Sequence, residues 1–122
     1  MAIINDWDGE KLVIDMTGNS DDSFNVNFGR KFLKRITNSI QVSGKNLVGT
    51  SVGSAAIMVS NLKETDPDRD ALSDILGENI TLKANFTQMW LTQFAFNSGY
   101  VKFTEMSGIN GGQIIIALNK DD

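Results

Sequence analysis

The sequence predicts a small, mainly β protein of the α+β type: an antiparallel β-sandwich or barrel with one well-capped helix at about residues 66–76. Two observations predict this class. Apolar runs of strand length and alternating apolar and polar residues recur along the chain, and turn-forming residues separate them. The 122 residues with 41% apolar content are also enough to bury a core in one domain, residues 1–122.

Three strands are predicted in the first half of the chain. Apolar runs cover residues 11–16 and 55–59, and residues 23–28 alternate Phe24, Val26 and Phe28 with polar neighbours. Because successive side chains of a strand point to opposite faces, such alternation predicts one buried face and one exposed face.

The second half contains further strand patterns. Residues 79–85 alternate in the same way, and residues 113–118 include three consecutive isoleucines, which is typical of a strand buried on both faces. Residues 86–96 fit a strand that leads through a turn at 97–99 into a hairpin with 100–106. They also fit a helix, because their aromatic residues recur at every fourth position. The surrounding β-forming residues favour the strand, and the helix stays open.

The segment TDPDRDALSDILG carries the helix prediction. Asp66 has the side chain of a helix N-cap, and Pro67 is tolerated in the first turn, where its missing N–H costs nothing. The apolar stripe and the stop then follow at Leu72, Ile75, Leu76 and Gly77. Asp66 is therefore the predicted helix cap.

The same segment is also a candidate metal loop, because carboxylates stand at alternate positions 66, 68 and 70 and again at 74. A calcium loop of the helix–loop–helix type needs glycine at its sixth position and glutamate at its twelfth. Counted from Asp66, those positions hold Ala71 and Gly77. The capped helix explains more of the residues, so no metal site is predicted, although cation binding by the carboxylate clusters stays open.

Composition argues against several functions. The chain has no histidine and no cysteine, so it lacks the commonest general base, the commonest transition-metal ligand and any thiolate. Its net charge of −4 disfavours adhesion to nucleic acid. It has no apolar run long enough to span a membrane, and its first residues are acidic where a signal peptide would be basic. We therefore expect a soluble protein made in the cytoplasm, without catalytic residues, cofactor or membrane partner.

A basic segment interrupts this acidic sequence. Four cationic residues lie within six positions, with Phe32 between them: Arg30, Lys31, Lys34 and Arg35. The segment fits an acidic partner surface, possibly another copy of the chain, and these four residues are the candidate subunit-interface residues. The alternative interpretations are contact with nucleic acid and a solvated face of a strand or short helix.

Residues 54–76, SAAIMVSNLKETDPDRDALSDIL, resemble a segment of bacteriophage tail-tube proteins. In that family a strand runs through a polar turn containing proline into a helix with a leucine-serine pattern. The resemblance implies a small β-sandwich or barrel with one helix beside it, six copies in a ring, and rings stacked into a tube. It covers about a fifth of the chain.

The resulting prediction is a non-enzymatic structural protein that self-assembles, most specifically a phage tail-tube or other virion component. Its partners would be copies of itself and other virion proteins, and DNA would only pass by without adhering. Its place would be the virion, after synthesis in the host cytoplasm. The alternative is a small acidic protein-binding module or inhibitor in the cytoplasm.

Overall fold

The computed structural model describes residues 1–29, 37–49, 53–91 and 96–120. These ranges contain nine β-strands, in chain order β1 (Ile3–Ile4), β2 (Lys11–Asp15), β3 (Phe24–Asn27), β4 (Thr37–Gly49), β5 (Ser54–Ser60), β6 (Asp74–Thr81), β7 (Phe86–Leu91), β8 (Ser98–Thr104) and β9 (Ile109–Lys120). No helix in the described ranges is long and apolar enough to cross a membrane.

The strands form two antiparallel sheets. The larger sheet has the order β1-β2-β9-β4-β7, and the smaller sheet has the order β3-β8-β5-β6. Four pairings join early strands to late ones: β2 with β9, β3 with β8, β4 with β7 and β5 with β6. The chain is thus a long antiparallel ribbon that folds back on itself. Further pairing of β4 with β9 and of β5 with β8 rolls this ribbon into two sheets, the arrangement called a jelly roll.

The core lies between the two sheets. On the larger sheet, Ile14 pairs with Ile114, and on the smaller sheet Val26 and Ile57 flank Val101; all five are buried. Each fully buried side chain of this size contributes roughly 1.5–3 kcal/mol of transfer free energy. Because strand side chains alternate, the same residues that fill the core fix which side chains face outward.

The mainly β, antiparallel prediction is confirmed, and of the two predicted architectures, sandwich or barrel, the two sheets are consistent with the sandwich. Strands β2, β3 and β5 occupy the three segments predicted in the first half of the chain. The strand interpretation of 86–96 is also confirmed for its first part, where β7 covers Phe86–Leu91. Residues 92–95 lie outside the described residues.

The predicted helix at 66–76 is wrong. Residues 64–72 form consecutive turns, and β6 begins at Asp74 and pairs with β5. The side chain of Asp66 does bind a backbone N–H group, since its Oδ1 accepts a hydrogen bond from Asp68 at 2.9 Å. This bond stabilises a turn and not the start of a helix. The stripe was not a core face either, because the side chain of Leu72 is 64% exposed.

Three smaller expectations also differ from the structure. The turn at 97–99 does not make a hairpin of β7 and β8, because those strands lie in different sheets. The strand predicted at 79–85 is shifted, since β6 ends at Thr81. Finally, β9 is buried on one face only, with Ile114 and Ile116 in the core and Ile115 half-buried on the outside.

Candidate functional site

The outer face of the larger sheet presents exposed and half-buried side chains from four adjacent strands. Four strands present outward side chains there in matched rows. At roughly 4.8 Å between strands, these four span about 14 Å. We call this surface the open face; its residues are Lys11, Val13, Asp15, Gln41, Ser43, Lys45, Thr87, Met89, Gln113, Ile115 and Ala117.

The alternation in β4 shows how the sequence builds this face. Ile40 and Val42 point inward and are buried, so Gln41 and Ser43 between them must point outward. On the neighbouring edge strand, Thr87 stands opposite Ser43, and their hydroxyl oxygens lie 3.0 Å apart in a hydrogen bond. Cross-strand pairs of this kind fix the register of the face.

Polar groups dominate the open face. Amide side chains come from Gln41 and Gln113, hydroxyls from Ser43 and Thr87, and an ammonium group from Lys45, which pairs with Gln113. Amides and hydroxyls both donate and accept hydrogen bonds, whereas the ammonium group only donates. The face therefore matches a ligand that carries many hydroxyl groups.

Aliphatic side chains lie among these polar groups. Val13 and Ile115 form a half-buried pair in the middle of the face, with Ala117 on the same strand as Ile115. Towards the edge, Met89 is 45% exposed and Leu91, farther along β7, is 70% exposed. These groups give the face apolar areas between its hydrogen-bonding groups.

Asp15 supplies a carboxylate at one end of the open face. The backbone N–H of Thr17 donates to its Oδ1 at 3.0 Å, and this bond, followed by one from the Thr17 hydroxyl, holds the pKa of Asp15 below its ordinary value of 3.8. The group is therefore ionised at neutral pH and acts as a hydrogen-bond acceptor.

The outer face of the smaller sheet is different, because residues 61–73 fold across it. We call this segment the strap. Arg69 of the strap lies over the ring of Tyr100, with its guanidinium carbon 4.5 Å from the ring centroid. Its Nη2 donates to Oδ1 of Asn27 at 2.6 Å, and its Nε donates to Oδ1 of Asp70 at 2.7 Å. The strap thus covers the part of this sheet that holds the chain's single tyrosine.

The structure does not place the predicted interface residues, since Arg30, Lys31, Lys34 and Arg35 lie outside the described residues. That interface stays a prediction. The carboxylates of the segment considered as a metal loop have different partners. Asp66 accepts a hydrogen bond within a turn, and Asp70 forms an ion pair with Arg69. Across the described ranges, no three acidic side chains come close enough together to hold a metal ion.

Sequence reasoning missed both the open face and Arg69. The alternation in residues 39–43 was a visible signal for one outward row, but the sequence does not state which strands lie beside it. Arg69 stood among four carboxylates, where a solvated charge is the ordinary expectation. Only the tertiary position of Tyr100 shows that this guanidinium is buried.

The fold and this site together describe a jelly-roll domain with one open, polar sheet face. No family model and no curated protein matches the chain. Solved structures of family 29 carbohydrate-binding modules do. One is a lysine-to-alanine variant complexed with cellulohexaose, with 16% identity and a TM-score of 0.49, covering 98% of this chain and 75% of that chain. Another, an aspartate-to-alanine variant complexed with mannohexaose, has 16% identity and a TM-score of 0.46, with the same coverage.

These findings correct the predicted function. The matching structures are carbohydrate-binding modules, not tail-tube proteins. In addition, the strand, turn and helix on which residues 54–76 resembled the tail-tube family are a strand, a strap and a second strand here. The predictions of a tail-tube or virion component, and of partners in a ring or tube, are therefore wrong.

Proposed function

We propose that this chain is a non-catalytic carbohydrate-binding module that holds an oligosaccharide on the open face. The observation that carries the proposal is the arrangement of amides, hydroxyls and aliphatic side chains in register on a sheet face whose described side chains are exposed or half-buried. The TM-scores of the matching modules lie below 0.5, and the support comes from the face itself.

Sugar chemistry suits such a surface. An oligosaccharide carries hydroxyl groups at its edges and C–H groups on its ring faces. Gln41, Gln113 and Thr87 can exchange hydrogen bonds with the hydroxyls, while Val13 and Ile115 pack against the C–H groups. A sheet with fixed registers also presents these groups without reordering, which lowers the entropic cost of binding.

The same face argues against glycoside hydrolysis. That reaction needs a pair of carboxyl groups, one of which has a raised pKa so that it can donate a proton. Among the outward positions of the paired strands described for this face, Asp15 is the one carboxylate. Its pKa is lowered by the Thr17 hydrogen bonds, which is the opposite of what a proton donor needs. Binding without catalysis is the function that this chemistry supports.

Gel electrophoresis in the presence of soluble polysaccharides, followed by calorimetry with hexaoses of glucose and mannose, tests the proposal. Gln41→Ala and Thr87→Ala should each weaken binding, by about 1 kcal/mol for a lost hydrogen bond. Gln88→Ala is the matched control, because Gln88 is exposed on β7 but points to the opposite side of that strand from Thr87. Equal loss in all three variants, or no binding by the wild type to any neutral glucan or mannan, would contradict the proposal.

A further inference from the structure

One buried side chain holds the middle of the strap against the smaller sheet. Of the thirteen residues 61–73, all of them described, only Arg69 is buried, at 4% exposure. Of its two leucines, Leu62 is half-buried and Leu72 is 64% exposed. A segment with so little buried apolar surface opens at a lower free energy than the strands of the core.

The Arg69 side chain does not have a hydrogen-bond partner for every one of its donor groups. Arg69 contacts Tyr100, Asn27 and Asp70, but its Nη1 is buried and has no hydrogen-bond partner among the described residues. A buried, unpaired donor destabilises the state that buries it, and a charged donor does so more strongly. Opening the strap returns this nitrogen to water, so the closed state carries a cost that the open state does not.

Hydrogen bonds join both ends of the strap to the smaller sheet. Ser98 Oγ donates to the carbonyl of Leu62 at 2.7 Å, and Ser60 Oγ donates to the carbonyl of Leu72 at 3.2 Å. Both serines belong to strands of the smaller sheet. These bonds would act as the two hinges if the middle of the strap opened.

Opening would change one surface in particular. Tyr100 is 4% exposed under the strap. Its cross-strand partners on the same side of the sheet are Asn27 on β3 and Met58 on β5, and Asn25 pairs with Lys102 on the next outward row. An aromatic ring beside amide and ammonium donors is suited to stack on one sugar ring and bond its hydroxyls. None of the eleven described residues that define the open face is aromatic.

We infer that the strap, residues 61–73, is a lid held closed by Arg69, and that its opening exposes Tyr100 as an aromatic subsite for a sugar ring on the smaller sheet. This inference rests on the proposed function for its ligand, but not for the motion of the lid.

Hydrogen exchange tests the motion first. Arg69→Ala should speed amide exchange in the strap by about tenfold or more, because it removes a charged hydrogen bond and a cation–π contact. Exchange in β8 and β9 should not change, which shows that the domain stays folded. Arg69→Lys should give an intermediate effect, since lysine keeps the charge but lacks the planar fork. Leu72→Ala, on the same strap but exposed, is the matched control.

Nitration of Tyr100 reports its exposure directly, because it is the chain's only tyrosine. It should be slow in the wild type and fast in Arg69→Ala. The inference is overturned if strap exchange and nitration are the same in Arg69→Ala as in the wild type.

A titration of the Arg69→Ala variant with cellulohexaose and with mannohexaose, observed by NMR, tests the subsite. Shifts of the Tyr100 ring signals, larger than in the wild type, are the expected result. If Tyr100 becomes exposed but only open-face signals such as those of Gln41 and Thr87 shift, the subsite is refuted while the proposed function stands. If no signal shifts anywhere, the proposed function fails and the sugar subsite fails with it.

Discussion

The indole Nε1 of Trp90 donates a hydrogen bond of 3.0 Å to the backbone carbonyl of Glu78. Trp90 lies on β7 at the edge of the larger sheet, and Glu78 lies on β6 at the edge of the smaller sheet. The ring also passes close to Gly77, where an added Cβ would meet Trp90 Cδ1 at 3.1 Å. This contact closes one side of the sandwich, because it joins two edge strands that no ladder of backbone hydrogen bonds connects.

Two substitutions of Trp90 should distinguish the contribution of its hydrogen bond to the free energy of unfolding from the contribution of its packing. Trp90→Phe removes the hydrogen bond and keeps most of the ring, so we expect a loss of about 1 kcal/mol in unfolding free energy. Trp90→Ala should cost about 3–5 kcal/mol. Urea denaturation followed by circular dichroism measures both. Trp7→Phe, which removes the bond from a half-buried indole to Asn27, is the comparison. An unchanged midpoint for Trp90→Phe would show that the bond contributes nothing.

Two glycines with similar backbone angles should respond differently to alanine. Gly18 has φ +75° with open space around it, whereas Gly112 has φ +85° and a backbone that approaches the Asn46 carbonyl too closely for a Cβ. Gly18→Ala should therefore cost only the strain of the left-handed conformation, about 1–2 kcal/mol. Gly112→Ala should cost clearly more, because the backbone of β4 must move. Equal melting temperatures for the two variants would contradict this reading of the β4–β9 contact.

The pKa of Asp15 gives a pH-dependent prediction. Because the Thr17 hydrogen bonds favour the ionised carboxylate in the folded state, its pKa lies below 3.8. The contribution to stability is present above that ordinary value and is lost as pH falls through the lowered one. NMR titration of the Asp15 carboxyl carbon should show a midpoint below 3.8 in the wild type and a partial return towards it in Thr17→Ala, which keeps the backbone N–H. A wild-type midpoint at or above 3.8 would contradict the assignment.

Affinity for a neutral oligosaccharide should depend little on salt. The ligand carries no charge, so raising the ionic strength from about 0.05 to 0.5 M screens no attraction between the partners. Calorimetry at both salt concentrations measures this. A tenfold fall in affinity would contradict binding of a neutral sugar through hydrogen bonds and apolar contacts.

Local patterns predicted much of the strand content. Phe24 and Val26 alternate with asparagines, and β3 follows from that pattern alone. The helix prediction for the segment after Asp66 was wrong because Asp, Pro and a following carboxylate begin a turn as readily as they begin a helix. Leu72 and Ile75 looked like one helical stripe, yet Ile75 belongs to β6 and pairs with Met58. Tertiary pairing with β5 overrode the helical periodicity.

The open face could not be predicted from the sequence, for a different reason. Its rows depend on pairings such as Val13 with Ile115, about a hundred positions apart in the chain. No local pattern states that β2 and β4 both lie beside β9. Strand alternation can say that Gln41 faces outward once Ile40 is known to be buried. It cannot say that Gln41 and Thr87 share a surface.

An amide NMR titration of the wild-type protein with cellulohexaose and with mannohexaose is the most direct test of whether the open face binds carbohydrate. Binding on the open face predicts that shift changes concentrate on outward residues of β2, β4, β7 and β9, Gln41 and Thr87 among them. Gln88, on the other side of β7, should move little. Absence of shifts with either sugar, or shifts confined to residues away from the larger sheet, would contradict the open face as a carbohydrate-binding surface.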